Sequence, residues 1–240
     1  HILNHTLDGV KVLITMQRST FRFAAGTTAL VQKPANAIVL SRLDALDLTD
    51  SSKRFAPPRL IADLEYRRLE LFAGQHLSVA ATIQEDLRPR DQLTAVGTEI
   101  DDPSAGGRID TQYLTLKSTG PIGPGLYQTT YYTLNSGRTL EYVEDPDSGT
   151  GFSYQYEPLL AHMAGAELTW FLPQALNSRA RLYGQFSTGE AAWSSRFVPL
   201  APRPYSDVFS LEPGNSAHLG VSYSVRPLAA LGSDVLQTEL

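Results

Sequence analysis

The chain has no cysteine, which removes disulfide scaffolds, cysteine-based zinc sites and thiol catalysis together. No apolar run approaches the roughly 18 to 20 residues that a membrane helix needs, so a helical membrane protein is excluded. Lysine and arginine form no run, and a net charge of -5 with a pI near 5.5 argues against a surface that holds nucleic-acid phosphates. No nucleic acid is expected as a partner. Also missing are G-x-S-x-G, a P-loop and a G-x-G-x-x-G after a strand. Of the histidines at 1, 5, 76, 162 and 218, none sits in H-E-x-x-H, and His1 with His5 is read as no metal site. No cofactor is expected. The start at His1, without methionine or a signal-like apolar segment, reads as processed or trimmed and leaves secretion open.

What is present is alternation. At 240 residues a single β domain over 1–240 is expected. The clearest stretch runs from Ala164 to Thr188. In its second arm Ala180, Leu182, Gly184 and Phe186 alternate with Arg179, Arg181, Tyr183, Gln185 and Ser187, a period of two and therefore a strand. In the first arm Ala164, Ala166, Leu168, Trp170 and Leu172 share one face against Gly165, Glu167, Thr169 and Phe171, with a turn over 173–177.

The same pattern recurs along the chain. Val10 to Met16 and Phe21 to Val31 form a hairpin across Arg18 and Ser19; Leu60 to Tyr66 continues through Ala73 with a reversal near Glu70; Leu77 to Ile83 follows. Asp110 to Thr119 is a weaker strand before the Gly120 to Gly125 turn, and Leu126 to Leu134 leads through an Asn135-Ser-Gly137 turn into Arg138 to Val143. Phe152 to Tyr156 and Leu219 to Val225 complete the series, with a Pro227 turn and room for one more strand before Leu240. Residues 33–58, 85–107 and 189–215 break the period and read as long loops, the first with some helical spacing over Asn36 to Thr49. The tally is about ten to twelve strands, without a βαβ rhythm or a fixed repeat.

Two architectures fit. One is a soluble antiparallel barrel or sandwich that binds a small ligand or a protein partner; the other is an antiparallel up-and-down transmembrane β-barrel, in which only every second residue meets lipid. Short turns alternating with long loops favour the second. So do Tyr66, Tyr127, Tyr131, Tyr132, Tyr142, Trp170, Phe171 and Tyr223, placed as boundary girdles. The polar set is Lys11, Arg22, Asp63, Glu65, Arg67, Gln84, Glu167, Arg179, Arg181 and Gln185, and in the strands only Lys117 is a doubtful charge on the apolar side.

The segment LTWFLPQALNSRARLYGQFSTGE, then FVPLAPRPYSDVF and EPGNSAHLGVSYSVRP, resembles bacterial outer-membrane porins of the alginate-export-like group. The shared features are an aromatic-Pro turn, a small-residue strand ending in S-x-G-E, an F-x-P loop, an Asn before a strand and a Y-x-x-x-P strand end, all within residues 165–227. The resemblance implies a passive, cofactor-free channel for small polar solutes in the bacterial outer membrane, with lipid as its other partner. Such barrels usually end on an aromatic residue, whereas this chain ends Gln237-Thr-Glu-Leu240, which leaves strand number, completeness at the termini and oligomeric state open.

For sites, Arg179 and Arg181 share a face with Glu167 near them, and Arg22, Lys11 and Arg67 are further candidates for a charged constriction. A cross-strand ion-pair ladder is the plainer reading and the favoured one. No catalytic residue is expected. Ser187 with His162 or His218 is the one esterase-like combination, and polarity alone accounts for it.

Overall fold

The computed structural model describes residues 7–28, 44, 55, 57–89, 109–149, 151–175, 177–189, 197, 215–225 and 238–239. It is all-β. Nine strands form one antiparallel sheet in sequence order: β1 (Leu7–Met16), β2 (Ser19–Thr28), β3 (Arg59–Phe72), β4 (Gln75–Asp86), β5 (Ile109–Gly123), β6 (Leu126–Glu144), β7 (Phe152–Leu172), β8 (Ser178–Ser187) and β9 (Ser216–Val225). A two-residue segment, Thr238–Glu239 (β10), pairs with the end of β9. Each strand pairs with its sequence neighbours; among the described residues no ladder joins β1 to β9, so the sheet is not shown closed into a barrel.

The connections sort by edge. Turns β1–β2, β3–β4, β5–β6 and β7–β8 are a few residues long, and all lie on one edge because consecutive strands are antiparallel. The β2–β3, β4–β5 and β8–β9 connections on the other edge are longer, and most residues of the loops expected at 33–58, 85–107 and 189–215 lie outside the described residues. On that same edge β6 and β7, 19 and 21 residues long, extend as a hairpin with its tip at 145–151.

Several sequence expectations are corrected. The Asn135-Ser-Gly137 turn does not exist: β6 runs straight through it and pairs with β5 and β7 on both sides. Gly137 is there for space, since a Cβ would lie 1.9 Å from the Asp110 carbonyl oxygen and φ is +150°. That single change merges two expected strands, and Pro158 likewise falls inside β7, so the described residues hold nine long strands and the short β10, where ten to twelve were expected. The first hairpin turns at Gln17-Arg18, not Arg18-Ser19. The reversal near Glu70 is a register shift between Arg68 and Phe72, after which Ala73-Gly74 makes the turn. The helical spacing over 36–49 and the Pro227 turn lie outside the described residues, except for Asp44.

Register assigns every strand residue to one of two faces. Val12 pairs with Phe23, Phe23 with Leu64, Leu64 with Ala81, Ala81 with Leu114 and Leu114 with Leu134; Leu168, Leu182 and Val221 continue this face across β7, β8 and β9. The apolar face is the exposed one. Val12, Ile14, Phe23, Leu64, Ile83, Leu114, Leu116, Trp170, Leu182, Phe186, Leu219 and Val221 all stand open. The opposite face is polar and largely buried: Asp63, Glu65, Thr82, Gln84, Thr111, Thr133 and Asn135 are among its covered side chains, with Ile61, Tyr113, Leu159 and Ala161 as the apolar minority. This polarity is the reverse of a water-soluble sheet's.

Candidate functional site

The polar face carries all the charged residues singled out from the sequence, and it groups them in two places. On β2 and β3, Arg22 donates to Asp63 at 2.6 Å and lies 3.0 Å from Glu65. Glu65 also receives Arg67 at 2.9 Å and the Ser78 hydroxyl at 2.9 Å, while Thr82 donates to Asp63 at 2.8 Å. Two carboxylates, two guanidiniums and two hydroxyls thus form one ladder across β2, β3 and β4. Lys11 stands on the same face opposite Ala24, with no ion pair among the described residues.

The second group lies on β7 and β8. Arg181 donates to Glu167 at 2.7 Å, Thr169 donates to the other carboxylate oxygen at 3.2 Å, and the Arg181 guanidinium sits 5.2 Å from the Tyr183 ring centre. Arg179 is across the ladder from Phe171. It lines an open depression of about 660 Å3 with Tyr127, Phe171, Thr169 and Gly125, in which the Tyr127 and Phe171 rings meet edge to face at 5.6 Å. The expectation that Glu167 would lie by the two arginines is met through Arg181.

The girdle assignment is corrected in part. Tyr66, Tyr132, Trp170 and Tyr223 are on the apolar face, and Trp170 and Tyr223 sit third from their strand ends at the short-turn edge. Tyr127, Tyr131 and Phe171 are on the polar face instead, since they alternate with the apolar set in β6 and β7. Tyr131 donates to Gln185 at 2.7 Å. Lys117 is also on the polar side, paired in register with Ser78 and Tyr131, whereas register puts Arg68, Glu85, Asp110 and Arg138 on the side of the apolar set.

His162 falls on the apolar face, where its Nδ1 meets the Tyr132 hydroxyl at 2.6 Å. Ser187 is on the other face, within 3.0 Å of the Ser216 hydroxyl. His162 and Ser187 are therefore separated by the sheet itself. His1 and His5 lie outside the described residues, among which no cluster of metal-ligating side chains occurs.

The sequence reading missed a further cluster of buried charges among the described residues. Arg59 opens β3, Asp86 closes β4, Arg88 follows it, and Asp44 comes from the β2–β3 connection. Arg59 donates to Asp44 at 2.6 Å and approaches Asp86 at 3.2 Å; Arg88 donates to Asp44 at 2.8 Å and also to Asp86. All four are buried. Burial works against the Arg88 charge, but its hydrogen bonds to Asp86 and Asp44 and the charges of both outweigh it and push the guanidinium above its ordinary value. Phe197, from the β8–β9 connection, packs edge-on against Tyr113 at 6.2 Å and bonds through its amide to the Thr188 carbonyl. Two connections from the long-loop edge thus reach onto the polar face. Alternation could have flagged Arg59, which shares parity with Asp63, Glu65 and Arg67; nothing periodic marks Asp44.

No known family model matches the chain, and no curated protein matches it; the porin resemblance read in residues 165–227 is identified by neither comparison.

Proposed function

We propose that the chain forms the wall of an outer-membrane channel of the porin type, with its apolar face in lipid and its polar face along an aqueous path for small polar solutes. The observation that carries this reading is the reversed polarity of the sheet. Covering a Val, Leu, Ile or Phe side chain is worth about 1.5–3 kcal/mol. Leaving a dozen of them about half exposed in water forfeits on the order of 10–20 kcal/mol, as much as the whole stability of a typical domain. Such a face requires an apolar cover. Among the described residues no second sheet provides one, which is what the soluble-sandwich alternative needs.

Dimensions support lipid as that cover. The ten-residue strands β1, β2, β8 and β9, at about 3.3 Å per residue and a tilt of about 40°, cross about 25 Å, the height of an outer-membrane apolar band. Short turns on one edge and long connections on the other also fit the family pattern. The polar face supplies the other half: closely paired arginines and carboxylates line a path without giving it one strong sign of charge.

The test is reconstitution of the purified protein. Step-like ion conductance in planar bilayers and heat-modifiable migration in detergent gels are expected. A protein that is folded and monomeric in plain buffer contradicts the reading.

A further inference from the structure

We propose that Arg68, with the Ser19 hydroxyl beside it, binds the phosphate of a membrane phospholipid at the short-turn edge of the apolar face. The site rests on the reading of that face as the lipid-facing one and names what holds the lipid boundary there.

Register places the boundary. Ile14, Phe21, Tyr66 and Val79 stand side by side across β1 to β4 on the apolar face, with the Phe21 and Tyr66 rings 4.8 Å apart. The next row on that face toward the short turns is Met16, Ser19, Arg68 and Leu77. Beyond it the chain turns at Gln17-Arg18 and Ala73-Gly74. An apolar and aromatic row thus gives way, within two residues, to a hydroxyl and a guanidinium. That is the order of groups met on passing from acyl chain to headgroup, where aromatic rings gather and long cationic side chains reach outward.

The charge of Arg68 points to an anion. Arg68 is half-buried; its Nη1 donates to Ser19 Oγ at 2.9 Å, and that hydroxyl lies 3.4 Å from the Tyr66 hydroxyl. Among the described residues no carboxylate lies within ion-pair distance of Arg68, and Glu70, the nearest acid along the chain, is 3.8 Å from Arg18 instead. Arg138, which register puts on the same side at the long-connection edge, does have a carboxylate, Asp110 at 2.9 Å. A guanidinium carries five N–H donors, and Ser19 takes one. Two adjacent donors match two phosphate oxygens. A phospholipid supplies that anion at this depth, with acyl chains to cover Met16, which is exposed.

The experiment uses the full chain folded in detergent, with dioleoyl phosphatidylglycerol as probe and dioleoyl galactosylglycerol as the phosphate-free control. Native mass spectrometry reads the affinity of each lipid. Phosphatidylglycerol is expected to bind at least fivefold more tightly than the galactolipid. Arg68→Gln is expected to weaken it by about fivefold, the worth of one basic residue at an anionic lipid surface, and to leave the galactolipid unchanged. Arg18→Gln, at the same edge, is expected to change either affinity by less than twofold. Excess inorganic phosphate is expected to leave the bound lipid in place. Displacement of the lipid by inorganic phosphate overturns the proposal, as does a preference that survives Arg68→Gln. Should Arg68→Gln fail to fold, the unmodified protein decides, because equal affinity for the two lipids overturns the site without any variant. Each of these results leaves the lipid-facing reading standing. A protein that holds neither lipid and folds in plain buffer removes that reading and the site together.

Discussion

Arg22 and Asp63 meet at 2.6 Å across the β2–β3 ladder, on a face where the Asp63 side chain is only 7% exposed. The same guanidinium lies 3.0 Å from Glu65, so one arginine serves two nearly buried carboxylates. Removing it leaves Asp63 without its closest cation and leaves Glu65 the Arg67 contact at 2.9 Å. Breaking a buried pair from one side costs about 3–5 kcal/mol. Because Arg22 keeps some solvent contact, Arg22→Ala is expected to destabilise the folded sheet by about 3 kcal/mol, the lower end of that range. Reversible urea unfolding in vesicles or micelles measures it. A loss below about 1 kcal/mol, typical of an exposed pair, would show that the ladder does not cover these two carboxylates.

A charge on the opposite face should be costly in lipid and nearly free in water. Leu182 lies in the middle of β8, opposite Leu168 and Val221. Leu182→Arg is expected to destabilise folding into bilayers by about 2–4 kcal/mol. On a solvated surface the same change stays within about 0.5 kcal/mol. Folding titrations into vesicles distinguish the two.

Two tyrosines on the polar face are seated on glycines of the next strand. A Cβ on Gly220 would come within 2.1 Å of the Tyr183 ring, and one on Gly165 within 2.4 Å of the Tyr131 ring. Gly220 and Tyr183 are direct register partners, as are Gly165 and Tyr131. Gly220→Ala should therefore cost about 1–3 kcal/mol through overpacking, and most of that cost should vanish when Tyr183→Ala is made as well. A double-mutant cycle reads the coupling; additive effects would mean the ring does not rest there.

How much of this was legible beforehand follows from what periodicity encodes. Alternation marks the side chains of a strand, so Leu182 against Arg181, and Leu64 against Glu65, were assigned to opposite faces correctly without coordinates. Turn residues mislead where glycine is needed for space. Gly137 looks like a hairpin residue in Asn-Ser-Gly, yet it lies mid-strand because the Asp110 carbonyl leaves no room for a Cβ. The candidate charges on the strands were found for the same reason as the strands. Asp44 was not, because its partners Arg59, Asp86 and Arg88 are brought together by register and by a connection without the two-residue period of a strand.

The β7–β8 group offers a prediction about selectivity within the channel reading. Glu167 balances Arg181, and Arg179 is on the same face nearby. Glu167→Gln removes the negative partner and leaves both guanidiniums on the polar face. The reversal potential in a salt gradient is expected to shift toward anions, and Arg181→Gln is expected to shift it the other way. Unchanged potentials in both variants would place this group outside the permeation path.

The most direct measurement of which solvent each face meets uses the absence of cysteine, which allows single labels without background. Val221 and Ser222 are neighbours in β9 whose side chains lie on the apolar and polar faces respectively. Val221→Cys and Ser222→Cys, each carrying a nitroxide, are to be compared in proteoliposomes for relaxation by oxygen, which concentrates in lipid, and by a water-soluble nickel chelate. The expected result is oxygen access at 221 with little nickel access, and the reverse at 222. Nickel access at 221 equal to or above that at 222 would contradict an apolar face in lipid.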